Sequence, residues 1–339
     1  MKKVLSPRAV QKASPLLPFP PPVLRLVNGK RSYPLNEEIW FNILNRLSIE
    51  TLSILRSTNH TVRGHVARHL RLSWNESLSS YFMDPVRFRD VLRSSRSIIS
   101  GSFVLHFVLR ATRFADWCPG DMDIYCPVSS AASVVDYLIY KEHYVAFKPE
   151  GREGANAESP LHEYDGAIAC VVQLRRWDGR RVDVICATRN GPLLPLTHFW
   201  GTIVTNFISA DTLSIPYPRL TLRGRCCLNP ERLDDSAVRD CLDKYIQRGF
   251  ALDSFVASGA HHTTITPMPL YCPHTYRHFA DPGCLVFDFG SKDTGDQIHT
   301  QLADFPVHLP LWKWGGDACS ALCHPTSEVR DLVLMGVFA

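Results

Sequence analysis

The sequence predicts a mixed α/β fold with a mixed sheet, preceded by a small helical bundle. Three observations carry that expectation. Short apolar or alternating runs recur between residues 97 and 222, separated by helix-period stretches. Trp177-Asp178-Gly179 reads as the turn of a β-hairpin between two of those runs. Residues 34–72 carry apolar side chains at helical spacing only.

Composition sets the frame. The chain has 339 residues, 45% apolar and 21% charged, which excludes global disorder, a collagen-like fibre and a polytopic membrane protein. Its length suggests about two domains. Net charge is +4, but residues 1–115 hold 18 Lys+Arg against 6 Asp+Glu, so two parts with different surfaces are expected. Lys2 and Lys3 are followed by no apolar signal core, and eleven cysteines is an odd number. Free thiols and a cytoplasmic or nuclear location are the expectation. The uncharged stretch 190–210 is broken by Pro192 and Pro195, so no membrane span is expected; its second half reads as a buried helix.

In chain order, residues 1–33 hold six prolines and read as a flexible leader. Asn36 is a plausible N-cap for a helix carrying Ile39, Ile43, Leu44 and Leu47, with Glu37 and Glu38 in its first turn. Ser48 caps a second helix with Leu52 and Leu55, and Val62, Val66 and Leu70 mark a third short one. Ser97–Ser100 is a strand, Phe103–Leu109 a helix and Asp121–Tyr125 an alternating strand. A helix over Ser133–Tyr144 precedes strands Ile168–Leu174 and Arg181–Ala187; Cys126, Cys170 and Cys186, each in an apolar strand-like run, read as small buried hydrophobes. A helix over Thr197–Ala210, a strand-like Leu213–Leu222 and an amphipathic helix over 232–249 follow. Leu285–Phe289 is a further strand, and Leu311–Trp314 a packed aromatic patch.

The chemistry lies in the carboxylates. Asp121 and Asp123 stand two apart on a strand and so share one face. Asp183 lies in another strand, Val182-Asp183-Val184-Ile185. If those strands are neighbours, three carboxylates gather as hard oxygen ligands for Mg²⁺ or Mn²⁺. Two such ions serve phosphoryl or nucleotidyl transfer. Gly101-Ser102, at a strand-to-helix junction, offers backbone N–H groups and a helix N-terminus to a phosphate. The plain alternative has Asp121 capping a turn, Asp123 on a solvated face and Asp183 paired with Arg181 or Arg175. Lys244 and Arg248, one helical turn apart, would reach a triphosphate or form a solvated face.

This ordered set resembles the nucleotidyltransferase superfamily of the polymerase-β type, over residues 95–225. That resemblance implies metal ligation and catalysis by Asp121, Asp123 and Asp183, and phosphate binding at Gly101 and Ser102. The eighteen residues between Ser102 and Asp121 exceed that family's usual spacing, so Arg110–Gly120 would have to loop over the site. Residues 34–66 resemble an F-box, which implies a Skp1-type adaptor contacted through Leu35, Ile39, Ile43, Leu44 and Leu47. The chain as a whole looks like a group of fungal proteins, some with F-box-like starts. The expected layout is a leader to residue 33, an F-box-like module over 34–75, a nucleotidyltransferase-like domain over 76–250 and an extension to 339. Two functions stand: an interaction protein recruiting a target to a ubiquitin ligase, or a metal-dependent nucleotidyltransferase using a nucleoside triphosphate.

Other signals are weaker. Cys272, His274, His278, Cys319, Cys323 and His324 are zinc-ligand types without paired spacing. Eight arginines lie between Arg56 and Arg96, with thin aromatic interleaving. A solvated or protein-facing surface is expected there, and a nucleic-acid partner is not.

Overall fold

The computed structural model describes residues 25–27, 30–32, 36–147, 166–188, 191–254, 276–290 and 310–314. The chain divides into two compact units, 1–43 and 44–339.

The first unit contains an antiparallel pair, β1 (Arg25–Val27) and β2 (Lys30–Ser32), and most of α1 (Glu37–Leu44). Asn36 Oδ1 accepts the Ile39 N–H at 2.8 Å, the N-cap expected there.

The second unit opens with α2 (Ile49–Arg56), capped by Ser48 through the Thr51 N–H. The helix α3 (His60–Ser79) is twenty residues long, not the short helix expected, and buries Val66, Leu70, Trp74 and Leu78. Trp74 packs edge-on to Phe107 at 5.6 Å. Asp84 caps α4 (Pro85–Ser94), with proline at its first position, where a missing N–H costs nothing. Arg89 on α4 donates to the Ala210 carbonyl at 2.8 Å and to Asp211 at 2.6 Å; Arg93 also binds Asp211. Arg89, Arg93 and Arg56, which donates to the Val286 carbonyl, are therefore engaged within the fold.

Then come β3 (Ile98–Ser100), α5 (Gly101–Leu109), β4 (Met122–Pro127), α6 (Ala131–Tyr140), β5 (Tyr144–Ala146), β6 (Ile168–Arg176) and β7 (Arg181–Ala187). Next are β8 (Phe207–Ile208), β9 (Thr212–Ile215), the short α7 (Pro218–Thr221), β10 (Arg225–Leu228), α8 (Ser236–Gln247), β11 (Ala251–Ser254) and β12 (Leu285–Asp288). Among the described residues, eight strands form one mixed sheet in the order β12-β9-β8-β3-β4-β7-β6-β5, while β10 and β11 pair in parallel. The pair β4–β7 is parallel and the other pairs in the large sheet are antiparallel. The mixed α/β class is thus established.

Four more expectations change. Thr197–Ala210 is not a helix but 3₁₀ turns at Leu194–His198 and Thr202–Val204 followed by β8. Burial of nearly every residue in that stretch leaves no amphipathic period, and β-branched residues disfavour a helix. The strand at 213 ends at Ile215, because Pro216 and Pro218 cannot continue a ladder. The helix at 133 ends by Tyr140, since His143 adopts φ +58 and β5 begins at Tyr144. Cys170 is exposed, whereas Cys126 and Cys186 are buried as expected.

Leu285–Asp288 is a strand, and Trp312 and Trp314 are buried. Cys272, His274, Cys319, Cys323 and His324 lie outside the described residues, as does most of the leader. No helix among the described residues is long and apolar enough to cross a membrane.

Candidate functional site

Strand register builds one row across four strands. Ser100 of β3 stands opposite Asp123 of β4, Asp123 beside Asp183 of β7, and Asp183 opposite Gln173 of β6. Partners in register share a face, so all four side chains leave the sheet on the same side. Two residues along each strand, Ile98, Tyr125, Ile185 and Val171 form a parallel apolar row that enters the core. In the other direction lie Asp121, Arg181 and Arg175, of which Asp121 is half-buried and both arginines are exposed. The core thus closes one side of the carboxylates and leaves the other accessible.

Gly101 follows β3 directly and starts α5 at φ +70, a left-handed conformation that glycine takes without strain. The close approach matters as much. A Cβ at Gly101 would stand 3.4 Å from the Asp123 Cγ and overlap its Oδ2. The Asp123 carboxylate therefore lies against the turn that leads into the buried Ser102.

Burial, followed by the charges of Asp121 and Asp183, pushes the Asp123 carboxyl well above the usual range; the Lys244 ammonium opposes the shift. The Asp183 carboxyl is also raised, chiefly by burial and further by Asp121, against the Gln173 hydrogen bond and the Arg181 charge. Gln173 Nε2 donates to Asp183 Oδ2 at 3.3 Å. Repulsion among partly desolvated carboxylates is relieved by a proton or a cation. Among the described residues, however, no three His, Cys, Asp or Glu side chains stand at metal-holding spacing. The three aspartates interact, but their oxygens do not meet at one point.

Sequence reasoning missed several neighbours. Tyr81 is buried just beyond α3, and its hydroxyl is raised above its usual range by burial; Arg180 opposes the shift, while Asp121 and Asp123 add to it. Tyr245 on α8 is buried and also senses Asp123. Arg248, just past α8, lies 3.7 Å over the Trp117 ring, so the segment between α5 and β4 packs against the end of that helix. Gln173 and Arg180 were legible only as strand and turn residues. Of the adaptor residues, Ile39 and Ile43 are exposed, Leu47 is half-buried, Leu44 is buried, and Leu35 lies outside the described residues. A separate open cavity of about 750 Å³, lined by Leu194, Glu231, Tyr276 and Lys313 among others, contains none of the row.

No family model, curated protein or solved structure matches this chain.

Proposed function

We propose that the chain is a metal-dependent nucleotidyltransferase of the polymerase-β-type fold, working at Asp121, Asp123 and Asp183. One observation carries the reading: Asp123 and Asp183 are register neighbours on parallel strands, and the Asp123 carboxylate abuts the Gly101 turn. A triphosphate held at that turn would lie directly beside the carboxylates.

Asp123 and Asp183 supply carboxylate oxygens of the kind Mg²⁺ or Mn²⁺ takes, as a neighbouring pair rather than the three-carboxylate cluster expected, and their mutual repulsion favours a cation. Such an ion, when bound, neutralises phosphate charge and activates the attacking oxygen. The backbone N–H groups of Gly101 and Ser102, at the start of α5, and the Ser102 hydroxyl would donate to phosphate oxygens. Lys244, close enough to act on Asp123, faces the same charge. Asp183, oriented by Gln173, accepts the proton of the acceptor hydroxyl. A bond then forms between the acceptor oxygen and the α-phosphorus, the bond from that phosphorus to the bridging oxygen breaks, and pyrophosphate leaves.

Thermal melts test this. Mn²⁺ should raise the melting temperature, and a mixture of triphosphates should raise it further; saturation at a hundred times Kd corresponds to about 2.7 kcal/mol. Asp123→Asn should remove the metal effect, and Ser102→Ala should weaken the nucleotide increment. A wild type indifferent to both ligands would end the enzyme reading.

A second reading concerns α1. Ile39 and Ile43 are 45% and 41% exposed one turn apart, within the F-box-like segment. They suit docking of a Skp1-type adaptor, with the α/β unit recruiting a target for ubiquitination. The full chain should then capture such an adaptor, and Ile43→Asp should abolish capture by burying an unpaired charge. No capture by the wild type would remove this reading.

A further inference from the structure

On the same sheet face as the carboxylates, the outer strands carry the opposite charge. Arg181 of β7 stands opposite Arg175 of β6, which in turn stands opposite Val145 of β5. This row lies two residues along from Asp183 and Gln173, about 7 Å at strand rise. Arg175 and Arg181 are exposed, and neither is in an ion pair among the described residues. Arg180, at the hairpin, lies over the Tyr81 ring at 5.3 Å, and Tyr81 borders the carboxylates. Trp177 in the hairpin turn is 86% exposed and Val145 is 62% exposed.

The next arginine shows what the fold itself requires. Arg176 points to the other sheet face and is fully used there, donating to the Tyr81 carbonyl at 2.6 Å and to Asp178. Among the described residues Arg175 and Arg181 make no such bonds, and the Trp177 indole is left in water. Unpaired arginines beside an exposed ring suit a chain of phosphates with open bases, because phosphates take the charge and every base has a face to stack. An acidic peptide would use the arginines but not the ring. A duplex would offer no open base.

We infer that the outer edge of the sheet, β7-β6-β5, binds single-stranded nucleic acid. Its phosphates lie on Arg175 and Arg181, a base rests against Trp177, and the strand's terminal hydroxyl points towards Asp183. This names the acceptor of the proposed transfer and rests on that reading for its purpose; binding itself does not. Arg175 and Arg181 lie outside the Arg56–Arg96 stretch, which is why composition alone gave no reason to expect a nucleic-acid partner.

The test uses the full chain and short fluorescein-labelled oligonucleotides of mixed sequence, single-stranded RNA and DNA, with a duplex and a polyglutamate peptide as controls. Anisotropy is read between about 50 and about 200 mM salt, where phosphate contacts lose affinity steeply. Single strands should bind best. Trp177→Ala and the pair Arg175→Ala with Arg181→Ala should each weaken binding about tenfold, and the pair should lower the salt slope by about 0.7 per arginine. Of these exposed positions, Trp177→Ala and Arg175→Ala should leave the melting temperature and its response to Mn²⁺ and triphosphate as in the wild type, whereas Arg181 acts on Asp183 and is left out of this control. The inference is overturned by no binding at low salt, by binding that ignores all three substitutions, or by polyglutamate binding equally well. Oligonucleotide binding without a Mn²⁺–triphosphate response would uphold the surface and remove the transfer reading. The response without oligonucleotide binding would do the reverse.

Discussion

Replacing Gly101 with alanine isolates the contact on which the site depends. Two costs add. The left-handed φ of +70 penalises any Cβ by roughly 1–2 kcal/mol. The new Cβ also overlaps Asp123 Oδ2, so the carboxylate must leave its position, at about 0.5–1.5 kcal/mol for a displaced rotamer. Gly101→Ala should therefore destabilise the chain by about 1.5–3.5 kcal/mol. In an Asp123→Ala background the overlap is gone and only the backbone cost remains, leaving a coupling of about 1 kcal/mol between the two positions. Scanning calorimetry of the four proteins in the cycle reads this as a difference of about 2–4 °C. Equal costs of Gly101→Ala in both backgrounds would show that the carboxylate does not lie against the turn, and the site as built here would be wrong.

Three further outcomes follow from the same structure. The raised folded-state pKa of Asp123 means that stability is lost as pH climbs from the unfolded value, about 3.8, through the folded one, so Asp123→Asn should gain stability over wild type at neutral pH and lose that advantage in acid; urea melts across pH check it. His69 is buried, and desolvation and Arg110 lower its pKa to about 4; stability should fall as pH drops from about 6.5 towards 4, by at most about 3 kcal/mol, and His69→Gln should flatten that limb. Asp211→Ala should cost about 3 kcal/mol in denaturant titration because it strands the buried Arg89, whereas Arg93→Ala, at a half-exposed partner, should cost about 1 kcal/mol or less.

Local signals carried much of the fold. The hairpin between β6 and β7 was legible because Gly179 takes φ +88 and Asp178 Oδ1 accepts the Arg180 N–H, the turn chemistry its residues suggest. Ser48 and Asn36 capped helices as read, because a cap depends only on residues within one turn. The helix α4 was missed although Asp84-Pro85 announced it and Phe88, Val91 and Leu92 keep helical spacing; its interspersed arginines read as a basic surface, whereas Arg89 is buried by a partner 122 residues away. The stretch 197–210 failed for the opposite reason: burial on all sides leaves no period to read. At the site, alternation placed Asp121 and Asp123 on one face, but only register puts Asp183 beside Asp123. Tyr81 and Gln173 could not be read from sequence, because their roles come from strands and loops that meet only in the fold.

Asp123, Asp183 and the Gly101 turn are proposed to form a single metal–triphosphate site. The most direct measurement is anomalous scattering from crystals soaked with Mn²⁺ and a non-hydrolysable triphosphate. A Mn²⁺ peak is expected between the Asp123 and Asp183 carboxylates, with a phosphate oxygen on the Gly101–Ser102 backbone and no peak in Asp123→Asn. A peak elsewhere, or a triphosphate that avoids the turn while Mn²⁺ is bound, would contradict it.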